Sequence, residues 1–300
     1  MNSRLFGAAL ILISHGFNSF NKVWYAQASA YVDPMIYAFI GYGIAIAFFW
    51  ICDCRGASKP LSNQKDWWNI NLSSALTFVC FLYALKYIDA VIVSSIESGL
   101  LVIFTLLLGR REKPLTLKVM VYAVCIFSFT LASCYFGEGV RELNVLGLVL
   151  AVLTSLGVAY IIRHQKVLID LGYESNTIMK HRFYLIAIVS FGYVWIDEGQ
   201  LPIKAIYNVV SVELLVVAFL GSVLCLYLIQ KGIALCNIYT SSALMASMPV
   251  VTFVVSYAYG NGDVNVNQLI TVLLLAMSLM LFSRRAQDRS KTRLSQYKKI

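Results

Sequence analysis

Ten stretches of about 20 largely apolar residues run through the chain, near 4–25, 34–52, 67–87, 90–109, 115–135, 145–163, 177–196, 209–230, 238–260 and 266–283. Each is long enough to cross roughly 30 Å of hydrocarbon as a helix. Backbone groups in lipid must bond internally, so helices are the only reading of runs this long. Composition agrees: 59% of residues are hydrophobic, 13% are charged, and mean hydropathy is +0.74. A soluble fold of this size cannot hide so much apolar surface. The same figures exclude a cytosolic enzyme, a disordered chain and a secreted disulfide scaffold. The expected fold is therefore an all-α membrane protein of ten transmembrane helices joined by short connections.

The net charge of +9 would suggest nucleic acid in a soluble protein. In a membrane protein it reports topology. With the N-terminus inside, all of the 24 basic residues but four (Lys22, Lys86, Arg141 and Lys204) fall on the cytoplasmic side. Both termini are thus expected in the cytoplasm, with residues 284–300 as a solvated basic tail and no nucleic-acid partner. Trp24, Trp50, Trp67, Trp68 and Trp195 sit at expected segment ends, as interfacial belts do. Asp33-Pro34 opens the second segment and Lys113-Pro114 precedes the fifth. Lys180, His181 and Arg182 intrude on the seventh. Arg4, the run Leu5–Ile13 and Ala28-Ser29-Ala30 look like a signal peptide, but His15, Asn18, Asn21 and Lys22 separate run from site, so retention is expected. Among the seven cysteines, Cys52 and Cys54 flank Asp53 too sparsely for a metal site, and no metal or other cofactor is expected.

The ten segments divide into two sets of five, 1–141 and 142–283. In the first, Ser94-Ser95-Ile96-Glu97-Ser98 leads through Leu106-Leu107-Leu108-Gly109 to Arg110-Arg111-Glu112 and another helix. In the second, Ser241-Ser242 and Ser247-Met248-Pro249 lead through Tyr257-Ala258-Tyr259-Gly260 to Asn261-Gly262-Asp263 and the last helix. An odd number of helices per half turns the halves upside down relative to each other, an architecture that puts a substrate site near midplane. At these residues, together with Tyr83-Ala84-Leu85-Lys86-Tyr87, the sequence resembles the EamA-like ten-helix exporters of the drug/metabolite transporter superfamily. It departs from their pattern at Ser98 (for proline), Met248 (for Glu) and Arg110 (for Glu). The resemblance implies a ten-helix carrier and export; it says little of substrate.

Glu97 falls near the middle of the fourth segment, where an ionised side chain costs at least ~2.5 kcal/mol. A proton, a cation or water must offset that, and Ser94 shares its face. Intramembrane carboxylates line pathways more often than they fix packing. In the first segment His15, Asn18 and Lys22 form a polar stripe expected to face the bundle interior. His15 is a proton acceptor or a partner for Glu97, while Lys22 is expected to snorkel to the outer surface. Tyr83, Tyr160 and Tyr227 fall on the third, sixth and eighth segments, which line the central cavity in similar transporters. Their rings and hydroxyls suit a cationic or aromatic ligand. Glu213 is expected at the outer rim.

Gly260-Asn261-Gly262-Asp263 matches the GxGD of intramembrane aspartyl proteases, yet no segment interior holds the second aspartate that chemistry requires. An enzyme would have to use Glu97 with His15. The expected function is export of a small zwitterionic or cationic, amino-acid-like metabolite across the inner membrane by alternating access, with protons as coupling ion. An uncoupled facilitator, and a carrier of a metal-chelating or nucleotide-like metabolite, are the alternatives of the same fold. The expected partners are the small-molecule substrate and the lipid bilayer, for a monomer or homodimer.

Overall fold

A computed structural model describes residues 3–53, 64–109, 117–138, 144–198, 207, 209–236, 244–259 and 265–297. Every described element is a helix: α1 (Ser3–Ala28), α2 (Pro34–Asp53), α3 (Gln64–Tyr87), α4 (Ala90–Gly109), α5 (Leu117–Glu138), α6 (Val145–Asp170), α7 (Ser175–His181) and α8 (Tyr184–Glu198). A π-helical turn, Leu220–Leu224, then joins α9 (Val212–Phe219) to α10 (Cys225–Leu235), followed by α11 (Met248–Tyr259) and α12 (Val266–Tyr297). The starts are set by short polar side chains that occupy the orphan amides of the first turn. Asp33 accepts from Met35 N at 2.7 Å, Asp89 from Val91 N at 2.7 Å, and Asn144 from Gly147 N at 3.1 Å. Ser211 accepts from Leu214 N at 3.1 Å, and Asn265 does the same for Asn267 and Gln268.

Seven of the described helical stretches are long and apolar enough to cross a membrane: α2, α3, α4, α5, α6, the α9–α10 stretch, and the first part of α12. The other three expected spans differ from that standard, each for a local reason. α1 is a continuous helix of 26 residues whose apolar run is diluted by its polar stripe. The seventh span is not one helix but two, α7 and α8, parted at Arg182 and Phe183. The ninth is represented by the 12 residues of α11, and residues 237–243 before it lie outside the described residues. So do the 141/142 boundary, Arg110 to Glu112, Ser241-Ser242 and the Gly260–Asp263 turn.

The packing keeps its pattern when the two halves are exchanged. α3 lies along α6, and α1 along α10; α4 packs on α6, and α1 on α11; α4 on α5, and α11 on α12. Further contacts, α5 on α12, α4 on α11 and α2 on α7 and α8, join a helix of one half to its counterpart in the other. Lipid tails offer no hydrophobic gain between helices, so small residues let backbones approach. A Cβ on Gly232 would sit 2.8 Å from the Gly7 carbonyl where α10 crosses α1, and one on Gly157 would overlap Thr77 where α6 crosses α3. Buried apolar residues of α1 to α4, α8 and α9, among them Tyr37, Leu82, Ile92 and Phe183, form one central core.

Candidate functional site

A buried polar ladder runs through this core where α1 and α4 meet α11. Lys22 points inward from α1 and is 1% exposed. Its ammonium lies 2.7 Å from Oε2 of Glu97 on α4 and donates to Ser94 Oγ at 3.0 Å. The Ser94 hydroxyl is 3.1 Å from Oγ1 of Thr252 on α11, which is 3.0 Å from Ser19 on α1. The remaining face of the ammonium is covered by the Phe81 ring of α3, 5.4 Å to its centroid. Each partner offsets the cost of a charge held away from water. Glu97 is 25% exposed and gives Oε2 to the pair, so its carboxylate stays within reach of a cation that would compete with Lys22.

Lys22 therefore does not snorkel to the surface. Glu97 reaches its depth from the neighbouring helix, and a charge-assisted hydrogen bond there replaces what water would supply at the interface. Nor do Glu97 and His15 pair. His15 is buried about two turns earlier on α1, and its Nε2 donates to the Leu244 carbonyl at 3.1 Å; its Nδ1 has no hydrogen-bond partner among the described residues. The stripe as a whole faces inward. Ser14, His15, Ser19, Asn21 and Lys22 are buried while Leu5, Phe6, Leu12 and Ile13 are exposed. Ser14 donates to the Cys225 carbonyl at 2.8 Å, and Asn21 accepts from the Tyr37 hydroxyl. Asn18 is half-buried beside them.

A family model described as the EamA-like transporter family matches the chain twice, over residues 5–134 and 145–284. The chain belongs to the EamA-like transporter family. No curated protein matches it. Among solved structures, a crystal structure of a protein shares the fold with a TM-score of 0.63 at 14% identity, over 94% of this chain and 97% of that one. In this EamA-like chain the ion pair ties α1 to α4 of the first match, and the serine–threonine contacts extend it to α11 of the second.

The three tyrosines fall in different places. Tyr83 is half-buried against the central core. Tyr227 packs edge-on to Phe48 of α2 at 5.9 Å and carries the Lys231 ammonium 5.5 Å over its ring. Tyr160 is exposed and stacks on His164, which is bonded to Asp66 at 2.8 Å near the start of α3. The structure thus brings together Glu97 and Ser94, keeps His15 and Asn18 on the same helix as Lys22, and leaves Tyr160 apart from them. Glu213 accepts from Trp24 Nε1 at 2.6 Å, which joins α9 to the end of α1.

Sequence reasoning missed the partners Lys22, Ser19 and Thr252, and a second buried cation, Arg182. A signal for Lys22 was available, because it lies at i+7 from His15 on the same helical face. For Thr252 there was none, since it lies on a helix far along the chain. Arg182 stands in the break between α7 and α8, 5% exposed, its guanidinium 5.6 Å from the Phe78 ring and 5.0 Å from that of Phe183. Nearby, Lys180 binds Asp53 of α2 at 2.5 Å and lies 4.3 Å over the Trp50 ring, while Thr177 donates to the same carboxylate at 2.9 Å.

Proposed function

We propose that this EamA-like transporter exports a small amino-acid-like metabolite across the inner membrane by alternating access, with Glu97 as the group on which substrate and proton compete. The observation that carries this reading is the buried Lys22–Glu97 pair at the junction of α1, α4 and α11. One carboxylate satisfies one positive charge at a time. When the substrate ammonium or a proton takes Oε2, Lys22 is released to the Ser94 and Thr252 hydroxyls, and the contact between α1 and α4 loosens. The exchange couples occupancy of the site to the packing of helices from both halves, which a carrier needs and a static scaffold does not. Ten helices in two inverted repeats, 1–141 and 142–283, and cytoplasmic termini with the 284–300 tail complete the architecture proposed. The two family matches and the exchangeable packing support the repeat; the distribution of basic residues supports the orientation.

Flux in proteoliposomes tests the proposal. Wild type and Glu97→Gln are compared with radiolabelled amino acids and amines, with and without a pH gradient. Gradient-driven flux that the Gln variant loses, with uncoupled exchange retained, is the expected result. Gradient-driven flux that is unchanged by the substitution reduces Glu97 to helix packing and overturns the mechanism.

A further inference from the structure

A guanidinium in the middle of a helical membrane bundle has to be offset by an anion, and among the described residues Arg182 has none. Its Nη1 donates only to the Met179 sulfur at 3.4 Å, its Nε has no hydrogen-bond partner, and it takes part in no ion pair. The flat faces of the group lie against Phe78 and Phe183, so its edge, which carries the five N–H donors, is what remains for a ligand. Phe78 stands one turn from Phe81 on α3, and Phe81 covers the Lys22 ammonium. The Tyr42 hydroxyl of α2 lies within electrostatic reach of both Arg182 and Glu97. The two charged groups therefore flank one side chain, Tyr42.

The backbone at Arg182 is built for the same chemistry. The break between α7 and α8 frees peptide groups that a continuous helix would bond internally. Asn71 of α3 spans the break, donating to the His181 carbonyl at 2.9 Å and accepting from Leu185 N at 3.3 Å. The 15-residue α8 thus begins beside Arg182 with the positive end of its dipole inside the bundle. Half-helix starts in this setting serve anionic groups of substrates. Among the described residues, Lys22 and Arg182 set two buried cations against the single carboxylate of Glu97, which Lys22 already uses, so Arg182 is left one negative charge short.

We propose that Arg182, at the start of α8, binds the carboxylate of the transported molecule, so that the substrate is a zwitterion held by its ammonium at Glu97 and its carboxylate at Arg182. This rests on the carrier reading above and narrows its substrate to compounds with a free anionic group. A planar fork matches a carboxylate with two parallel bonds, each stronger than a neutral one. A simple amine or an amide meets the same guanidinium unpaired and is rejected.

The test measures proteoliposome flux of leucine, threonine and lysine against their carboxamides, for wild type, Arg182→Gln and Arg182→Lys. The wild type is expected to favour each acid over its amide by about tenfold to a hundredfold, the worth of one or two charge-assisted bonds. Arg182→Gln loses that preference through the acid arm, and Arg182→Lys keeps the charge and part of the preference. Amides carried as fast as acids by the wild type, or acid flux untouched in Arg182→Gln, overturn the assignment; should the Gln variant not fold, the wild-type ratio and the Lys variant decide alone. Absence of any wild-type flux fails the amino-acid-like reading instead. Arg182 is then judged by thermal unfolding of the purified protein in acetate or phosphate against chloride at equal ionic strength. A rise in Tm that Arg182→Gln abolishes supports the anion site, and no rise overturns it.

Discussion

The Lys22–Glu97 pair sets the energetics at the scale of single residues. Lys22 is out of water and Glu97 three-quarters so, and the lysine charge is tolerable because the carboxylate is 2.7 Å away. Removing one partner leaves the other buried and unpaired, which costs about 3–5 kcal/mol in fully buried pairs. The quarter exposure of Glu97 makes its own loss of a partner the milder of the two. Glu97→Gln, which strands the fully buried lysine, is therefore expected to lower stability more than Lys22→Met, which strands the half-wet carboxylate. The double variant recovers most of the loss, because two neutral side chains of similar size remain. Thermal unfolding of the four proteins in detergent reads this as a double-mutant cycle. Additive losses in the double variant would mean that the two groups act through other contacts. The same cycle explains what the sequence hid. Glu97 was legible because a carboxylate in an apolar run has to be offset by something. Its partner was not, because a lysine seven residues past a histidine near a helix end reads equally well as an interfacial anchor. Only the depth of α4 beside α1 decides between those readings, and depth is a property of packing.

Among the elements, α1 and the α9–α10 stretch carry the clearest departure from regular helix. The π-helical turn Leu220–Leu224 widens the backbone where Asn21 of α1 presses against it, and a Cβ on Gly221 would fall 2.2 Å from the Asn21 Cγ. The Asn21 Cβ would lie 2.6 Å away as well, so turning the amide alone does not clear that position. Gly221→Ala is expected to cost about 1–3 kcal/mol, the usual price of overpacking a tight contact. Gly43→Ala on α2 is the control: open space surrounds its Cβ, and replacing a mid-helix glycine stabilises by about 0.5–1 kcal/mol. Unfolding midpoints of opposite sign for the two variants would verify the account; a neutral Gly221→Ala would mean that α1 slides freely on the turn. Helix positions were legible from apolar runs and from helix starts such as Asp33-Pro34, whose chemistry is local. The break at Arg182 and the π turn were not. Each depends on a side chain from another helix, Asn71 in one case and Asn21 in the other, that occupies backbone groups or space the local sequence leaves open.

Two contacts between the halves bear on the whole molecule. In one, Trp24 of α1 donates to Glu213 of α9. In the other, Asp53 at the end of α2 holds Lys180 and Thr177 of α7 within a wall formed by Trp50. The alternating access proposed above requires each tie to open while the other holds. Asp53→Asn removes a charge-assisted bond worth about 1.5–3 kcal/mol, enough to raise the population open at the α2–α7 end by about tenfold or more. Glu213→Gln weakens the other tie and shifts the population the opposite way. A cysteine at Ser94 in an otherwise cysteine-free background reports the difference, since Ser94 is buried and accepts from the lysine of the pair. An impermeant maleimide added on the side of the α2 C-terminus is expected to label it faster in Asp53→Asn. Added on the opposite side, the reagent labels it faster in Glu213→Gln. Labelling from one side only, whichever tie is cut, would show that the two contacts brace a fixed bundle and that the carrier opens elsewhere. With both shifts observed, the halves move as reciprocal gates, and the exchange of positive charge at Glu97 becomes the event that decides which of them opens.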